Sequence, residues 1–193
     1  MTLKELVIAN RSCRGYDRSR KVTKEELTEM VDIARLTAAS VNMQPLKYYL
    51  VYEDEEAALL NSLVKFGANL PELGLPFEGT EPPAFIVICN DLEIAANPER
   101  YMKDVGIVAQ TITLAATEMG LIGCMIGNYN KDKVREALEL SDKYTVELII
   151  SIGKNAEDIR IVDLEEGDSH KYYRDENGVH YVPKRKLSDV IIK

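Results

Sequence analysis

Tryptophan is absent from this chain, histidine occurs twice and cysteine three times. The two histidines, His170 and His180, both stand late in the sequence. They are too few for a His-rich metal site. A Ser-His-Asp hydrolase of the α/β type would have to use one of them, and the G-x-S-x-G elbow it needs is missing. Cys13, Cys89 and Cys124 are odd in number, lack C-x-x-C spacing and have small or apolar neighbours. They read as reduced core residues, not as a disulfide framework, a metal set or a redox pair. Positive charge is in deficit, with Lys+Arg 24 against Asp+Glu 32 and a net charge of −8. That balance leaves no electrostatic footprint for nucleic acid or anionic lipid, so neither is expected as a partner. No apolar run approaches the ~20 residues that span a bilayer. Met1–Asn10 reads as an amphipathic helix and not as a basic-then-apolar leader. The expectation is a cytoplasmic protein with no membrane partner and no bound metal.

What is present is ordinary globular material, 46% hydrophobic and 29% charged, enough for one domain with a sizeable core. Thr2-x-x-Glu5 has capping-box spacing and predicts a helix over 3–9. Thr23-x-x-Glu26 opens a second helix, whose Leu27, Met30, Val31, Ala34 and Ala38 recur at threes and fours and which ends near Ala39. Tyr48–Tyr52 reads as a strand, 55–65 as a helix and Ala84–Cys89 as a buried strand. Between them, Gly67 to Pro83 is rich in glycine and proline without periodicity. Connections of that length are lids, binding loops or unstructured linkers. Asp104–Met119 is a helix apolar on several faces, hence central or at a subunit interface. Gly120 stops it. A strand end at Cys124–Ile126, a helix over Lys131–Leu140 and a buried strand at Val146–Ile152 follow. Asn177-Gly178 then marks a hairpin between Tyr172–Arg174 and Val179–Val182. Five or six strands among five helices, without regular alternation, make an α+β fold.

Four segments are polar or basic where the pattern does not require it. Arg11-Ser12-Cys13-Arg14 offers two guanidiniums and a hydroxyl, suited to a phosphate or an anionic heteroaromatic edge, although arginine pairs at helix ends are common on plain surface. Ser40-Val41-Asn42-Met43-Gln44 either satisfies a turn or presents neutral donors and acceptors to a polar ring edge or a ribityl chain. In Gly120–Asn128, Gly127 follows an apolar strand and permits a flat ligand to approach bare backbone, and the spacing does not match G-x-G-x-x-G. Lys184-Arg185-Lys186 places three cations together in an acidic chain, which is an anion site or solvated surface.

Taken in order, these segments resemble the FMN-dependent nitroreductase family over essentially the whole chain. The R-S-x-R segment is Arg11 to Arg14, the S-x-N-x-Q-P segment is Ser40 to Pro45, the G-x-x-x-C-x-I-G-like turn is Gly120 to Gly127, and the closing hairpin with its basic motif runs from Tyr172 to Leu187. The resemblance implies an α+β fold with a mainly antiparallel central sheet flanked by helices. It implies a single domain over 1–193, an intertwined homodimer, and a C-terminal arm at 172–193 that reaches the partner subunit. It also implies two FMN molecules at the interface, with NADH or NADPH as co-substrate. Arg11, Ser12 and Arg14 are then expected on the phosphate and the N1–C2 edge, and Lys184 and Arg185, with Lys186 left open, on the phosphate. Ser40, Asn42 and Gln44 are expected to approach from the partner chain, and the backbone at Met125, Ile126 and Gly127 to face the dimethylbenzene and N5 side.

The implied chemistry is ping-pong hydride transfer through flavin N5 to a small organic acceptor such as a nitroaromatic or a quinone. No protein nucleophile is required. Arg14 is expected to stabilise negative charge near N1, and the Gly127 N–H to donate to N5. Leu46 stands where many relatives carry Trp after Q-P, Asn10 stands where many carry another Arg, and 67–83 shows no acceptor-specific signature. Reduction of quinones or enones, dehalogenation and ring oxidation therefore stay open beside nitro reduction. A flavin-binding protein without turnover, serving storage, sensing or interaction, also stays open.

Overall fold

The computed structural model describes residues 1–67 and 70–193. Local chemistry sets the first helix starts. Thr2 and Thr23 each accept from the backbone N–H three residues on, while Glu5 and Glu26 accept from the cap backbone. These reciprocal boxes open α1 (Leu3–Ala9) and, after the short β1 (Tyr16–Asp17), α2 (Lys24–Ala34). α2 stops at Ala34, short of the expected end near Ala39. There the Thr37 hydroxyl donates to the Ala34 carbonyl at 2.7 Å and the Thr37 N–H bonds the same oxygen at 3.1 Å. The acceptor that the next helical N–H would need is thus already engaged.

A 3₁₀ turn at Ser40–Asn42 leads into β2 (Leu46–Val51), α3 (Asp54–Leu63), β3 (Ala84–Asp91), α4 (Met102–Glu118) and β4 (Ile122–Ile126). Then come α5 (Lys131–Ala137), β5 (Tyr144–Asn155), β6 (Ile159–Asp163), β7 (Tyr173–Arg174), β8 (His180–Lys184) and α6 (Leu187–Val190). β5 extends well beyond the expected Val146–Ile152, and α5 ends before the expected Leu140. β6 is not foreseen by the sequence pattern, because its short run Ile-Arg-Ile-Val-Asp is only half apolar. The lid candidate 67–83 includes two positions, 68 and 69, outside the described residues. Its remainder holds a 3₁₀ turn at Pro71–Leu73 and is tied down by Tyr16 N–H to Thr80 O and by Asn61 Nδ2 to Pro82 O.

The main sheet runs β2-β3-β5, with β4 on the opposite edge of β5 from β3 and β1 pairing near the C-terminal end of β5. Every one of these pairings is antiparallel. A smaller sheet, β6-β8-β7, has β6 parallel and β7 antiparallel to β8. The Asn177-Gly178 dipeptide does close a hairpin there. Gly178 sits at φ 78°, and Asp175 and Val179 bond across the loop.

β3 is buried along its whole length, which makes the domain three layers thick. Ala84, Ile86 and Ile88 pack with Leu27, Met30 and Ala34 of α2 and with Val105, Ala109, Ile112 and Ala116 of α4. Phe85, Val87 and Cys89 face the other way, against Leu60 of α3 and Val134 of α5. The two-residue period of the strand thus feeds two cores at once. α4 turns its buried side to the sheet and leaves Met102 and Ile107 exposed. The three cysteines are free and buried, as their composition suggested. Among the described residues no helix is long and apolar enough to cross a membrane.

Candidate functional site

The segment after α1 is pinned at several points, and its guanidiniums are held in place as a result. Asn10 Nδ2 donates to Thr113 Oγ1 of α4 at 2.9 Å, Cys13 N–H to the Gly123 carbonyl of β4 at 3.3 Å, and the Ala156 N–H to Gly15 O at 3.1 Å. The Arg14 N–H donates to Glu157 Oε2 at 2.6 Å, and Glu157 also pairs with Arg174 of β7. Both members of that pair are nearly buried, with side chains 6% and 11% exposed. One carboxylate therefore fastens the arginine segment to the C-terminal sheet.

Between these pieces lies a cleft of about 530 Å³. Arg11, Ser12 and Arg14 line one wall, Gln110 and Thr113 of α4 another, Gly123 and Met125 of β4 a third, and Tyr172, His180, Val182 and Lys184 the fourth. Arg11 Nη2 donates to Val7 O at 2.6 Å, while its Nε is buried without a hydrogen-bond partner. Burial lowers the basicity of this guanidinium, which nevertheless stays charged in any protein setting. The Arg14 guanidinium stands 4.7 Å from the centre of the Tyr172 ring, a cation–π arrangement. Glycine at 123 keeps this approach close, since a Cβ would come within 3.1 to 3.2 Å of Ser151 O, Ile152 and Thr113.

A second hollow adjoins the first and shares Arg14, Met125 and Tyr172 with it. It is lined further by Lys65, Phe66, Gly67, Cys124, Ile126, Gly127 and Asn128. The Lys65 N–H to Asn128 O bond, 3.0 Å, and the Val64–Tyr129 bridge hold the start of 67–83 against the end of β4. A Cβ at Gly127 would meet nothing within 4 Å.

Of the residues expected from the sequence, Arg11, Ser12, Arg14, Met125 and Lys184 meet in the cleft, and Ile126 and Gly127 join Arg14 and Met125 in the adjoining hollow. Ser40, Asn42, Gln44 and Arg185 do not line either. The Ser40 N–H and hydroxyl are engaged with the buried Asp104 carboxylate, at 2.9 and 2.6 Å. Asn42 and Gln44 are exposed and bonded to each other, Gln44 Nε2 to Asn42 Oδ1 at 3.0 Å. Val41, Asn42 and Gln44 all adopt positive φ, and such strain persists only where the surroundings over-determine it. Arg185 lies beyond the end of β8 in a hollow with Glu165, Glu166, Asp168 and Asp189, and Lys186 pairs with Glu165. β6 holds β8 within the chain's own fold, which leaves 185–193 exposed.

His180, Tyr172 and Gln110 also line the cleft, and the polar and basic segments of the sequence do not point to them. A signal for His180 existed. Alternation along β8 puts His180, Val182 and Lys184 on one face, so choosing Lys184 already implied the other two. Arg185, one residue on, falls outside that face and outside the strand.

A sequence model of the nitroreductase family matches residues 8–154. The chain is 25% identical over 177 residues to the Bacillus subtilis (strain 168) protein named "Putative NAD(P)H nitroreductase YodC", covering 78% of this chain and 88% of that one. Among solved structures it is similar to an FMN-dependent nitroreductase of Clostridium difficile R20291, at 29% identity and TM-score 0.65 over 80% of this chain and 88% of that one. It is also similar to an Exiguobacterium sibiricum 255-15 protein crystallised in complex with FMN, at 26% identity and TM-score 0.67 over 81% and 90%.

Proposed function

The chain belongs to the nitroreductase family, and from that premise we propose that it is an FMN-dependent oxidoreductase taking electrons from NADH or NADPH and passing them to a small organic acceptor. The observation that carries this reading is the convergence of Arg11, Arg14 and Lys184 on one cleft in a chain of net charge −8. These cations, with the unpartnered Arg11 Nε, fit an anionic, phosphate-bearing ligand. The open backbone at Gly127 fits the approach of a flat ring.

Bound there, FMN supplies the hydride-accepting and hydride-donating chemistry. Arg11, Ser12 and Lys184 hold the phosphate. Arg14, released from Tyr172, offers a fixed positive charge to the ring edge where reduction builds negative charge. The Gly127 N–H faces the opposite edge as a donor. Gly67, which lines the adjoining hollow, borders the acceptor side, and the described stretch 70–83 serves as its lid. Ser40, Asn42 and Gln44, which stand outside the cleft of their own chain, serve the flavin of a second copy, and so does Arg185. The functional unit is therefore a homodimer, and Asp104 holds the 40–44 loop in the presenting conformation.

Purified protein is expected to be yellow and to release FMN, not FAD, on denaturation. Stopped-flow mixing with NADH or NADPH should bleach the flavin absorbance, and air or an added quinone or nitroaromatic should restore it. Colourless protein that takes up no FMN overturns the reading. Protein that binds FMN and stays oxidised under both nicotinamides is a binder without turnover.

A further inference from the structure

His180 is the least satisfied polar side chain of the cleft. It is 1% exposed, and neither Nδ1 nor Nε2 has a hydrogen-bond partner. A neutral imidazole carries one donor and one acceptor, and burying both unpaired is unusual enough to require a cause. Its backbone is well fixed, with the N–H donating to Asp158 O at 2.8 Å and the residue in register with Arg174 of β7 and Ile159 of β6. Its ring tilts against Tyr172, 5.3 Å between centroids. The ring is therefore held in place for something other than its own hydrogen bonds.

The charges around it say what that is. Arg14 from the segment after α1 and Arg174 from β7 both oppose a positive imidazole, and Glu157 from the β5–β6 connection favours one. Arg11 and Lys184 line the same cleft and add to the positive side, Tyr172 packs on the ring, and the Asp158 carboxylate is occupied by Arg160. Burial first, then Arg14 and Arg174, hold the imidazole down to about 4, so it is neutral near pH 7. A phosphate monoester bound in the cleft brings negative charge beside the ring and opposes the effect of these cations on its proton.

We propose that His180 is a proton-linked member of the anion site: unpaired in the ligand-free cleft, it takes up a proton and becomes a charged donor when a phosphate-bearing ligand settles against Arg11 and Lys184. This rests on the FMN reading above and deepens it. No bond other than N–H changes, and the proton comes from solvent.

Only two imidazoles exist in the chain, and His170 is exposed, so long-range ¹H–¹⁵N spectra of labelled protein stripped of flavin resolve them, with His170→Gln fixing the assignment. The expected result on adding FMN is a rise of about one pH unit or more in the His180 midpoint. Inorganic phosphate should give the same direction and riboflavin little change. FMN affinity, followed by flavin fluorescence quenching, should respond to a fall from pH 6 to 4.5 more favourably in the wild type than in His180→Gln, which keeps the phosphate's own titration but lacks the imidazole; proton uptake by the imidazole acts only between its free and its bound midpoint. If FMN binds and the His180 midpoint does not move, the inference is wrong while the flavin reading stands. If riboflavin moves it as far as FMN does, the phosphate linkage is wrong. If FMN does not bind at all, both fall.

Discussion

Ser40 shows how a residue expected beside a ligand has its polar groups engaged within its own chain. Its hydroxyl and N–H are both spent on Asp104, so what it contributes locally is the shape of the loop that carries Asn42 and Gln44 outward. Arg11, Ser12, Arg14 and Lys184 are legible in the sequence because cations clustered against an acidic background point to an anion. His180 is harder to see, because an isolated histidine suggests hydrolase or metal chemistry before it suggests an anion site. It also yields a stability prediction independent of any ligand. Its folded-state midpoint is lowered from 6.5 to about 4, so between those values the unfolded chain binds a proton that the native one refuses. Stability is then complete above pH ~6.5, falls as the pH drops through the window and levels off below ~4, for a loss on the order of 3 kcal/mol. Urea unfolding at pH 7 and 4.5 should show this extra slope in the wild type and not in His180→Gln. Equal slopes would mean that the imidazole is not buried neutral.

At the scale of elements, periodicity revealed most of what is here, and the misses have physical reasons. α2 ends early because a threonine side chain competes for a helix acceptor. β6 escapes notice because a short, half-polar strand becomes visible only once β8 is beside it. The glycines around β4 and β5 separate two kinds of close approach. At Gly153 a Cβ would lie 2.6 Å from Tyr16 Cδ1 and 2.8 Å from Pro83 Cδ, whereas at Gly127 it would meet nothing. Gly153→Ala is expected to cost about 2 kcal/mol by overpacking. Gly127→Ala should leave the melting temperature almost unchanged yet weaken FMN binding about tenfold or more, ~1.4 kcal/mol. Thermal melts beside a flavin titration check the pair. Unaltered affinity in Gly127→Ala would remove that backbone from the site.

For the whole molecule, the three-layer arrangement follows from one strand buried on both faces with amphipathic helices on either side; the buried strand was legible as an apolar run, and the flanked sheet was what the family resemblance implied. Of the C-terminal sheet only the β7–β8 hairpin was legible, because the parallel β6–β8 pairing joins segments that do not neighbour each other in sequence. Assembly is the remaining question at this scale. α4 exposes Ile107 at 39%, an apolar side chain that the proposed dimer would cover. Ile107→Glu is expected to shift sedimentation from dimer to monomer and to reduce flavin retention with it, since Asn42 and Gln44 would lose their target. A variant that stays dimeric, or a monomer that keeps its FMN, would show that the copies meet elsewhere or share no cofactor.

The family match ends at residue 154, but Tyr172, His180, Val182 and Lys184 complete the cleft from beyond that point. The enclosure is thus made of two stretches of one chain, a frame within 8–154 and a cap beyond it, joined through the Glu157 carboxylate. Mutational drift in the cap could retune what enters and how tightly it is gripped while the sheet beneath stays as it is.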